Sequence, residues 1–349
     1  MRLEVFSMRN ILSKLLVFIC VIVLATGSTL SVSASESKAL DSKQLPTPAV
    51  NFDKDAVAEF KLELTQVSNN APLSKGVDIE EIKKGLQSTS SSKDGTDNVS
   101  PQTLTDPYEP NDDSGTAATI SYNQYTYANI GTAIDQDWYK INLTVSSDPD
   151  EIVAFLLKDI PAGCDYDLYI FDPNFNYAAS QNPGNADERI YIDVQTSGTW
   201  YVVVVPYSGY NDNANYKLFV GDAWQNGTTG WMPTNLTFNF TSSNVGTILP
   251  YQIFDLSYDA SIPDSAVVRY IQIDSTGTGN WGNQVKYLYS AQTDTWYETF
   301  VGLDYVLDIP EDTLYVKQQW PITTKIQYLY TPIATWTPNI YFAYKYIIE

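Results

Sequence analysis

Residues 105–222 alternate short runs of Tyr, Val, Ile and Trp with turns rich in Asn, Asp, Gly and Pro. Short alternating runs are typical of strands, and frequent turn signals are typical of antiparallel folding. The pattern predicts seven strands, at Tyr125–Ile130, Trp138–Val145, Ile152–Leu157, Asp167–Phe171, Arg189–Val194, Thr199–Val205 and Tyr216–Val220. The continuous apolar run that ends at Val205 predicts a central strand buried on both faces.

Residues 223–349 continue in this style without repeating the first sequence. Apolar or aromatic residues occupy every second position from Ile340 to Ile348, which places them on one face of a last strand. Further strands are predicted at Thr237–Thr241, Ile248–Leu256, Val267–Asp274, Gln284–Tyr289, Thr295–Val301, Leu314–Gln319 and Lys325–Tyr330. We therefore predict a second all-β domain, joined to the first by a short linker within Gly221 to Gly230.

The N-terminal segment 1–34 has the order of a secretory signal peptide. Arg9 and Lys14 precede the apolar run Leu15–Ala25, and small and polar residues follow as far as Ala34. This order predicts cleavage after Ala34 and a secreted, extracellular protein, free or associated with the cell surface. A membrane span needs about 20 apolar residues, more than this run offers, so an uncleaved anchor is the less favoured alternative.

Residues 35–104 are poor in aromatic residues and rich in Ser, Lys, Asp and Pro. This composition predicts a propeptide-like or disordered spacer. Two stretches, Asp53–Leu64 and Asp78–Leu86, are amphipathic. A functional amphipathic helix is therefore an alternative interpretation of this segment.

The composition excludes or disfavours several classes of function. The 349 residues are 44% hydrophobic, enough to bury two cores. The formal net charge of −21 disfavours a nucleic-acid partner, because the chain repels phosphate. Histidine is absent, which excludes Ser-His-Asp and Cys-His nucleophiles and His-ligated zinc. Cleavage after Ala34 would leave Cys164 as the one cysteine, so the mature fold would have no internal disulfide.

Two acidic motifs carry candidate chemistry. The stretch Asp106–Asp113 crowds oxygen-bearing side chains into one proline-containing loop, and Asp135 and Asp137 add two carboxylates. Calcium takes six to eight oxygen ligands, which carboxylates and amide carbonyls supply. The spacing differs from that of an EF-hand, which needs acids at alternate positions. The motifs predict a calcium site, and a solvated acidic turn is the alternative.

These motifs belong to a longer series: Glu109–Asp112, Asp135–Tyr139, Asp165–Phe171, Gly198–Val204 and Ala214–Leu218. In this order and spacing, over residues 105–222, they resemble the bacterial pre-peptidase C-terminal domain. The best-known relatives of that domain are the collagen-binding domains of clostridial collagenases.

The resemblance implies a jelly-roll-like β-sandwich with calcium bound near its N-terminal edge. It assigns ligand roles to Glu109, Asn111, Asp112, Asp135 and Asp137. Some relatives carry an acidic residue where this chain has a proline, at position 107, and Asp106 could take that place.

A further group of acids lies around one predicted strand. Asp165 and Asp167 are predicted to point to the same face, and Asp172 follows them. A second cation site or a paired-carboxylate glycosidase site is one interpretation. Turn-forming aspartates at the ends of an exposed strand are the favoured one.

The stretch Gly277–Gly282 matches the G-x-G-x-x-G pattern of dinucleotide sites. Such a site needs a helix after the glycines, whereas the residues that follow here predict a strand. We interpret the stretch as a glycine-rich hairpin loop. Trp281 on this loop is predicted to be exposed, and it is a candidate ligand-binding residue, because exposed aromatic rings pack on sugars or peptide side chains.

The sequence predicts a secreted, non-catalytic, calcium-binding accessory protein with two antiparallel, jelly-roll-like β-sandwich domains, 105–222 and 223–349. The predicted partner is an extracellular polymer, a matrix protein or a cell-wall glycan. Catalysis is not predicted, because the chain has no histidine and no protease or hydrolase motif. Two alternatives remain. One is a carboxylate-dependent secreted hydrolase with its catalyst in the C-terminal domain. The other is a chaperone, inhibitor or surface-layer component that acts on a partner protein.

The signal-peptide prediction has a direct test. N-terminal sequencing of the protein from culture medium is expected to begin at or near Ser35, because the signal peptidase cuts after small residues. A released protein that retains residues 8–20 would contradict the assignment.

Overall fold

The structure is a computed structural model that describes residues 45–50, 52, 62–75, 78–86, 106–148 and 151–349. The predicted signal peptide and most of the first amphipathic stretch lie outside the described residues. Within the part of the chain that is described, no helix has the length and apolar character needed to cross a membrane. Pro46–Glu349 form one unit, and the following description concerns that unit alone.

The first domain contains nine strands, and all seven predicted strands are among them. They are β1 (Ala118–Thr119), β2 (Gln124–Ile130), β3 (Asp137–Leu143), β4 (Ile152–Lys158), β5 (Asp165–Phe171), β6 (Tyr177–Ser180), β7 (Glu188–Asp193), β8 (Gly198–Ser208) and β9 (Asn211–Asp222).

Two sheets of the first domain form the predicted jelly-roll-like sandwich. One has the order β1-β3-β8-β5-β6 and the other the order β2-β9-β4-β7. If β2 to β9 are counted as strands one to eight, the sheets read 2-7-4-5 and 1-8-3-6, which is the double Greek key of a jelly roll. All neighbours are antiparallel except β1, which runs parallel to β3.

Strand β8 is central and buried on both faces, as predicted. Val202 and Val204 face the core between the sheets. Val203 and Val205 face a second apolar cluster on the other side of the same sheet. The unbroken valine run therefore reflects two separate apolar environments rather than one.

The second apolar cluster is covered by residues 62–75 and 78–86, which we call the strap. Ser68 pairs with Tyr177 of β6 through two backbone hydrogen bonds of 3.0 and 2.9 Å. Helix α1 (Ile79–Gly85) follows, and its Ile82 is buried in the cluster that contains Trp138 and Phe171. The described parts of the strap thus correct the prediction of a disordered spacer.

The local sequence explains α1. Asp78 caps its N-terminus by accepting a hydrogen bond from the Glu80 N–H at 3.0 Å. Acidic residues occupy the first turn and Lys83 and Lys84 the last, which suits the helix dipole. The amphipathic stretch Asp78–Leu86 therefore forms a helix at Ile79–Gly85.

The second domain is also all-β. Its strands are β10 (Trp224–Pro233), β11 (Phe238–Thr241), β12 (Gln252–Asp255), β13 (Val267–Ile273), β14 (Gly277–Thr278), β15 (Trp281–Gly282), β16 (Val285–Ser290), β17 (Thr295–Glu298), β18 (Gln319–Lys325), β19 (Tyr328–Leu329), β20 (Ile333–Trp336) and β21 (Asn339–Ile347). They form the sheets β10-β21-β13, β11-β20-β14, β12-β18-β16-β17 and β15-β19 around one core.

The linker prediction and one strand prediction fail in this domain. The predicted linker is wrong, because β10 pairs with β21 from Trp224 to Pro233 and only Ala223 separates it from β9. The predicted strand Leu314–Gln319 is also wrong, because the strand begins at Gln319. Leu314 and Val316 are fully buried, so their apolar pattern records burial in the core rather than a strand.

The junction between the domains is hydrogen-bonded on both sides. Ala223 donates its N–H to the Ile152 carbonyl of β4 at 2.8 Å. Its own carbonyl accepts the N–H of Ile348, just beyond β21, at 2.9 Å. Strand β10 therefore begins at the first domain, and strand β21 ends at it.

Candidate metal site

The loop before β1 is fastened to the sandwich by Asp106. One carboxylate oxygen of Asp106 accepts the Tyr108 N–H at 2.8 Å, and the other accepts the Asn129 N–H of β2 at 3.0 Å. Both oxygens are therefore engaged in holding the loop. Asp106 lies outside the carboxylate group described next, so it acts as the anchor of the loop.

Three of the predicted ligands converge. Glu109, Asp135 and Asp137 each offer a carboxylate oxygen, and these three oxygens all lie within 4.8 Å of one another. Glu109 comes from the loop, whereas Asp137 is the first residue of β3. The two motifs, about 25 residues apart in sequence, thus meet at the edge of the sheet as predicted.

Crowding and burial disfavour the charged forms of these acids. Glu109 is an exposed residue, but partial burial of its carboxylate, with the Asp135 charge beside it, raises its pKa to about 7. Burial also raises the pKa of Asp135, although its carboxylate accepts the Gly131 N–H at 2.6 Å. Burial raises the pKa of Asp137 well above its usual range. A nearby cation would reverse this preference, because it would favour all three carboxylates.

Asp137 is held on one side only. One of its oxygens accepts a hydrogen bond from the Tyr216 hydroxyl of β9, which also lies 2.7 Å from the Tyr139 hydroxyl. The other oxygen, Oδ1, is buried and has no hydrogen-bond partner. The sequence did not reveal this role for Tyr216, because the tyrosine and Asp137 are 79 residues apart.

Asn111 is the second buried group without partners. Its side chain is fully buried, and neither its amide oxygen nor its amide nitrogen makes a hydrogen bond. Its backbone is fixed, because its N–H donates to Glu109 and its carbonyl accepts from Trp138, at 3.0 and 2.8 Å. Buried polar atoms are almost always paired, so these orphaned atoms make Asn111 a candidate ligand.

Asp112 occupies a different position. It is exposed and lies outside the converging group. Its charge still contributes to the raised pKa values of Glu109 and Asp135, so it lies near the rim of the site. Of the five predicted ligands, three carboxylates converge, Asn111 is buried in the same loop, and Asp112 is peripheral.

The second acidic group receives a cation from within the chain. Asp165 and Asp167 share a face of β5, as predicted, and Lys75 of the strap places its Nζ 2.5 and 2.6 Å from their carboxylates. Both acids are buried, so the favoured interpretation of turn-forming residues on an exposed strand is wrong for this pair. Asp172 does close a turn, accepting the N–H groups of Asn174 and Asn176 at 2.8 Å.

Glu188 of β7 belongs to the same acidic group. It is fully buried, and its carboxylate accepts hydrogen bonds from the Ser180 hydroxyl and from the Asn182 N–H. Burial raises its pKa to about 7. The charged form of Glu188 is therefore a cost to the folded state at neutral pH.

Trp281 is not exposed as predicted. Its ring is half-buried, lies 5.5 Å from the ring of Phe240, and donates its indole N–H to Gln284 at 2.9 Å. The glycine-rich stretch forms β14 and β15 and no helix follows it, which agrees with the rejection of a dinucleotide site. The exposed rings near this stretch are instead Tyr328 and Tyr330.

Comparison with known proteins adds little to these observations. No family model and no curated protein matches the chain. One solved structure that matches is described as "a putative secreted protein from Eubacterium rectale". It shares 11% identity with this chain, covers 75% of this chain and 88% of its own, and has a TM-score of 0.31. A likeness this distant carries no argument about fold or function.

Replacing Lys75 with methionine is expected to destabilise the protein by about 3 kcal/mol or more. The change leaves the buried Asp165 and Asp167 without their cation, and breaking a buried pair is costly. Urea unfolding of the parent and of Lys75→Met measures the difference. The matched control is Lys83→Met, which removes a half-exposed pair with Glu80 and a cation–π contact with Tyr177, together worth about 1.5 kcal/mol at most. Equal effects of the two substitutions would contradict the assigned role of Lys75.

Glu188→Gln is expected to change how stability depends on pH. Between its ordinary value near 4.5 and the raised pKa of about 7, the folded protein binds a proton that the unfolded chain has released. Stability from this group therefore falls as pH rises from about 4.5 to 7, and the glutamine variant lacks that fall. The free energy of unfolding of the variant should therefore rise relative to that of the parent across this range, and the difference should persist above pH 7. Unfolding curves measured from pH 5 to pH 8 test this, and a constant difference would refute it.

Proposed function

We propose that this chain is a secreted, non-catalytic, calcium-binding accessory protein. The calcium site comprises Glu109, Asn111, Asp135 and Asp137, with Asp112 at its rim. The second domain binds an extracellular polymer, a matrix protein or a cell-wall glycan. The N-terminal order of charged, apolar and small residues supports export.

The orphaned atoms of Asn111 and Asp137 carry the proposal. A buried polar group without a hydrogen bond costs about 1–3 kcal/mol, and more when it is charged. Here a carboxylate oxygen of Asp137 is left in that state beside two further carboxylates, and the amide oxygen of Asn111 is left in that state in the loop that supplies Glu109. A bound cation would coordinate these oxygens, whereas a solvated acidic turn would not leave them buried without a partner.

The donor set favours calcium over other cations. Carboxylate and amide oxygens are hard ligands, and the site contains no histidine and no thiolate, which zinc prefers. Calcium accepts six to eight oxygens in flexible geometry, whereas magnesium requires a tighter octahedron and retains its water. Exposed Glu109 and Asp112 leave access for water molecules to complete the shell.

The family resemblance supports the same conclusion by an independent route. The pre-peptidase C-terminal domain is a jelly roll, and the first domain has jelly-roll strand order. The ligand positions that the resemblance assigns include all three converging carboxylates and Asn111. The proposal therefore rests on agreement between the motif positions and the buried polar atoms that lack hydrogen bonds.

Calcium is expected to raise the unfolding temperature of the mature chain relative to EDTA, and magnesium to raise it less. A ligand that binds only the folded state stabilises it by about 2.7 kcal/mol at one hundred times Kd. Asp137→Asn should lose most of this calcium effect. In EDTA the same variant should be at least as stable as the parent, because it removes a buried charge while keeping an acceptor for Tyr216.

The control for this experiment is Asp113→Asn. The Asp113 carboxylate is used within its own turn, where it accepts the N–H groups of Gly115 and Thr116, both at 2.9 Å. This variant should keep the full calcium shift. A parent protein insensitive to calcium, or an undiminished shift in Asp137→Asn, would contradict the site.

A further inference from the structure

The second domain has a cleft of about 560 Å³ lined by Ser242, Val245, Gln327, Tyr328, Leu329, Tyr330, Thr331 and Pro332. We call it the tyrosine cleft. We propose that it binds the sugar rings of a neutral polysaccharide. This inference rests on the proposed function, because it identifies the class of polymer and the site that holds it.

The two tyrosines give the cleft its binding surface. The rings of Tyr328 and Tyr330 are nearly parallel, with centroids 6.2 Å apart and an interplanar angle of 12°. Their exposed fractions are 50% and 68%, large for aromatic side chains. A pyranose ring presents a C–H face that packs on an aromatic ring, and Tyr combines such a ring with a polar hydroxyl. The volume also lies in the usual range for small-ligand sites.

The absence of charge in the cleft selects the ligand class. None of the eight lining residues is charged, in a chain with 41 acidic residues. A charged ligand would lose hydration here without gaining a counter-charge. The net charge of −21 also repels anionic polymers at longer range. A neutral ligand rich in hydroxyl groups fits both conditions.

The floor and rim of the cleft have complementary chemistry. Val245 and Leu329 pack on the core of the second domain and form an apolar floor. The rim is polar and uncharged, and Asn283 orients the Gln327 amide by donating to its oxygen at 3.1 Å. Thr331 is fixed by its hydrogen bond to the Ile333 carbonyl at 2.9 Å. A sugar offers the matching combination of apolar faces and peripheral hydroxyls.

The glycine-rich stretch holds the tyrosines in place. Strand β15 pairs with β19, and the Tyr330 N–H donates to the Asn280 carbonyl at 2.9 Å. A Cβ atom on Gly282 would lie 2.9 Å from the Tyr330 hydroxyl oxygen and 3.1 Å from its ring. Gly282 therefore allows the ring to lie directly against the backbone. A rigid, preformed aromatic pair loses little entropy when it binds a ligand.

A second exposed aromatic surface is the competing candidate. Tyr270 lies 5.9 Å from both Tyr305 and Tyr341, and Trp231 lies 5.7 Å from Tyr341. Trp231, Tyr270 and Tyr341 belong to the sheet β10-β21-β13, and the row does not line the tyrosine cleft. The tyrosine cleft is favoured because it combines aromatic rings with a cavity and a polar rim, and the row supplies a control.

Affinity electrophoresis in native gels tests the proposal with the mature chain in calcium buffer. The probes are soluble polysaccharides of β-1,4-linked glucose, β-1,3-linked glucose, α-1,4-linked glucose and β-1,4-linked N-acetylglucosamine, with polygalacturonate as the anionic comparison. At least one neutral probe is expected to retard the parent, and polygalacturonate is not. The double variant Tyr328→Ala/Tyr330→Ala is expected to bind about tenfold more weakly or worse.

Three variants make the result specific. Tyr258→Ala, at an isolated tyrosine that is 93% exposed, and Tyr305→Ala, in the aromatic row, are expected to bind like the parent. Gly282→Ala is expected to weaken binding, because the added methyl group displaces the Tyr330 ring. Unchanged unfolding temperatures in calcium confirm that each variant is folded.

Several outcomes would overturn the inference. Unchanged retardation of the double variant, or an equal loss in Tyr305→Ala, would show that the cleft is not the site. Retardation by polygalacturonate alone would show that the ligand class is wrong. If no neutral probe retards the parent, the tyrosine cleft is rejected, while the calcium-dependent unfolding temperature still judges the calcium site separately.

Discussion

Buried carboxylates are the constraint on which this structure depends. A chain with twice as many acids as bases cannot give every buried acid a basic partner. Where a lysine is present, the pairing is close: Lys75 lies 2.5 and 2.6 Å from the carboxylates of Asp165 and Asp167. Within the described residues, no lysine or arginine bridges the Glu109, Asp135 and Asp137 group. The unequal distribution of cations is what separates a structural acid pair from a candidate metal site.

The sequence predicted the first domain well because its strands are short, alternating and separated by turn residues. Prediction failed where another constraint overrode the pattern. The glycines and polar residues of β10 suggested a linker, yet its pairing with β21 depends on backbone groups that any residue supplies. Strand β18 contains Pro321, which a sequence pattern treats as a strand breaker. Pro321 is tolerated because it lies opposite Ile253 of β12, just beyond Ile322, the last residue of β18 that pairs with β16.

The candidate site could be predicted in part. Asn111 and the three carboxylates were found because motif order and ligand chemistry are local properties of the sequence. The roles of Tyr216 and Lys75 depend on contacts across 79 and 90 residues, which no single motif encodes. The strap was misjudged for a related reason. Its polar composition resembles that of a spacer, but it is held by backbone pairing with Tyr177 and by one buried isoleucine, Ile82, which need little hydrophobic sequence.

The junction at Ala223 has a mechanical consequence. If the second domain holds a polymer, as proposed, tension on that domain passes to the first. Here the covalent connection is reinforced, because Ala223 is hydrogen-bonded both to Ile152 and to Ile348 at the far end of the chain. The load is thus shared between two strand ends instead of stretching a single flexible tether. The same arrangement keeps the two domains from swinging freely when one of them is pulled.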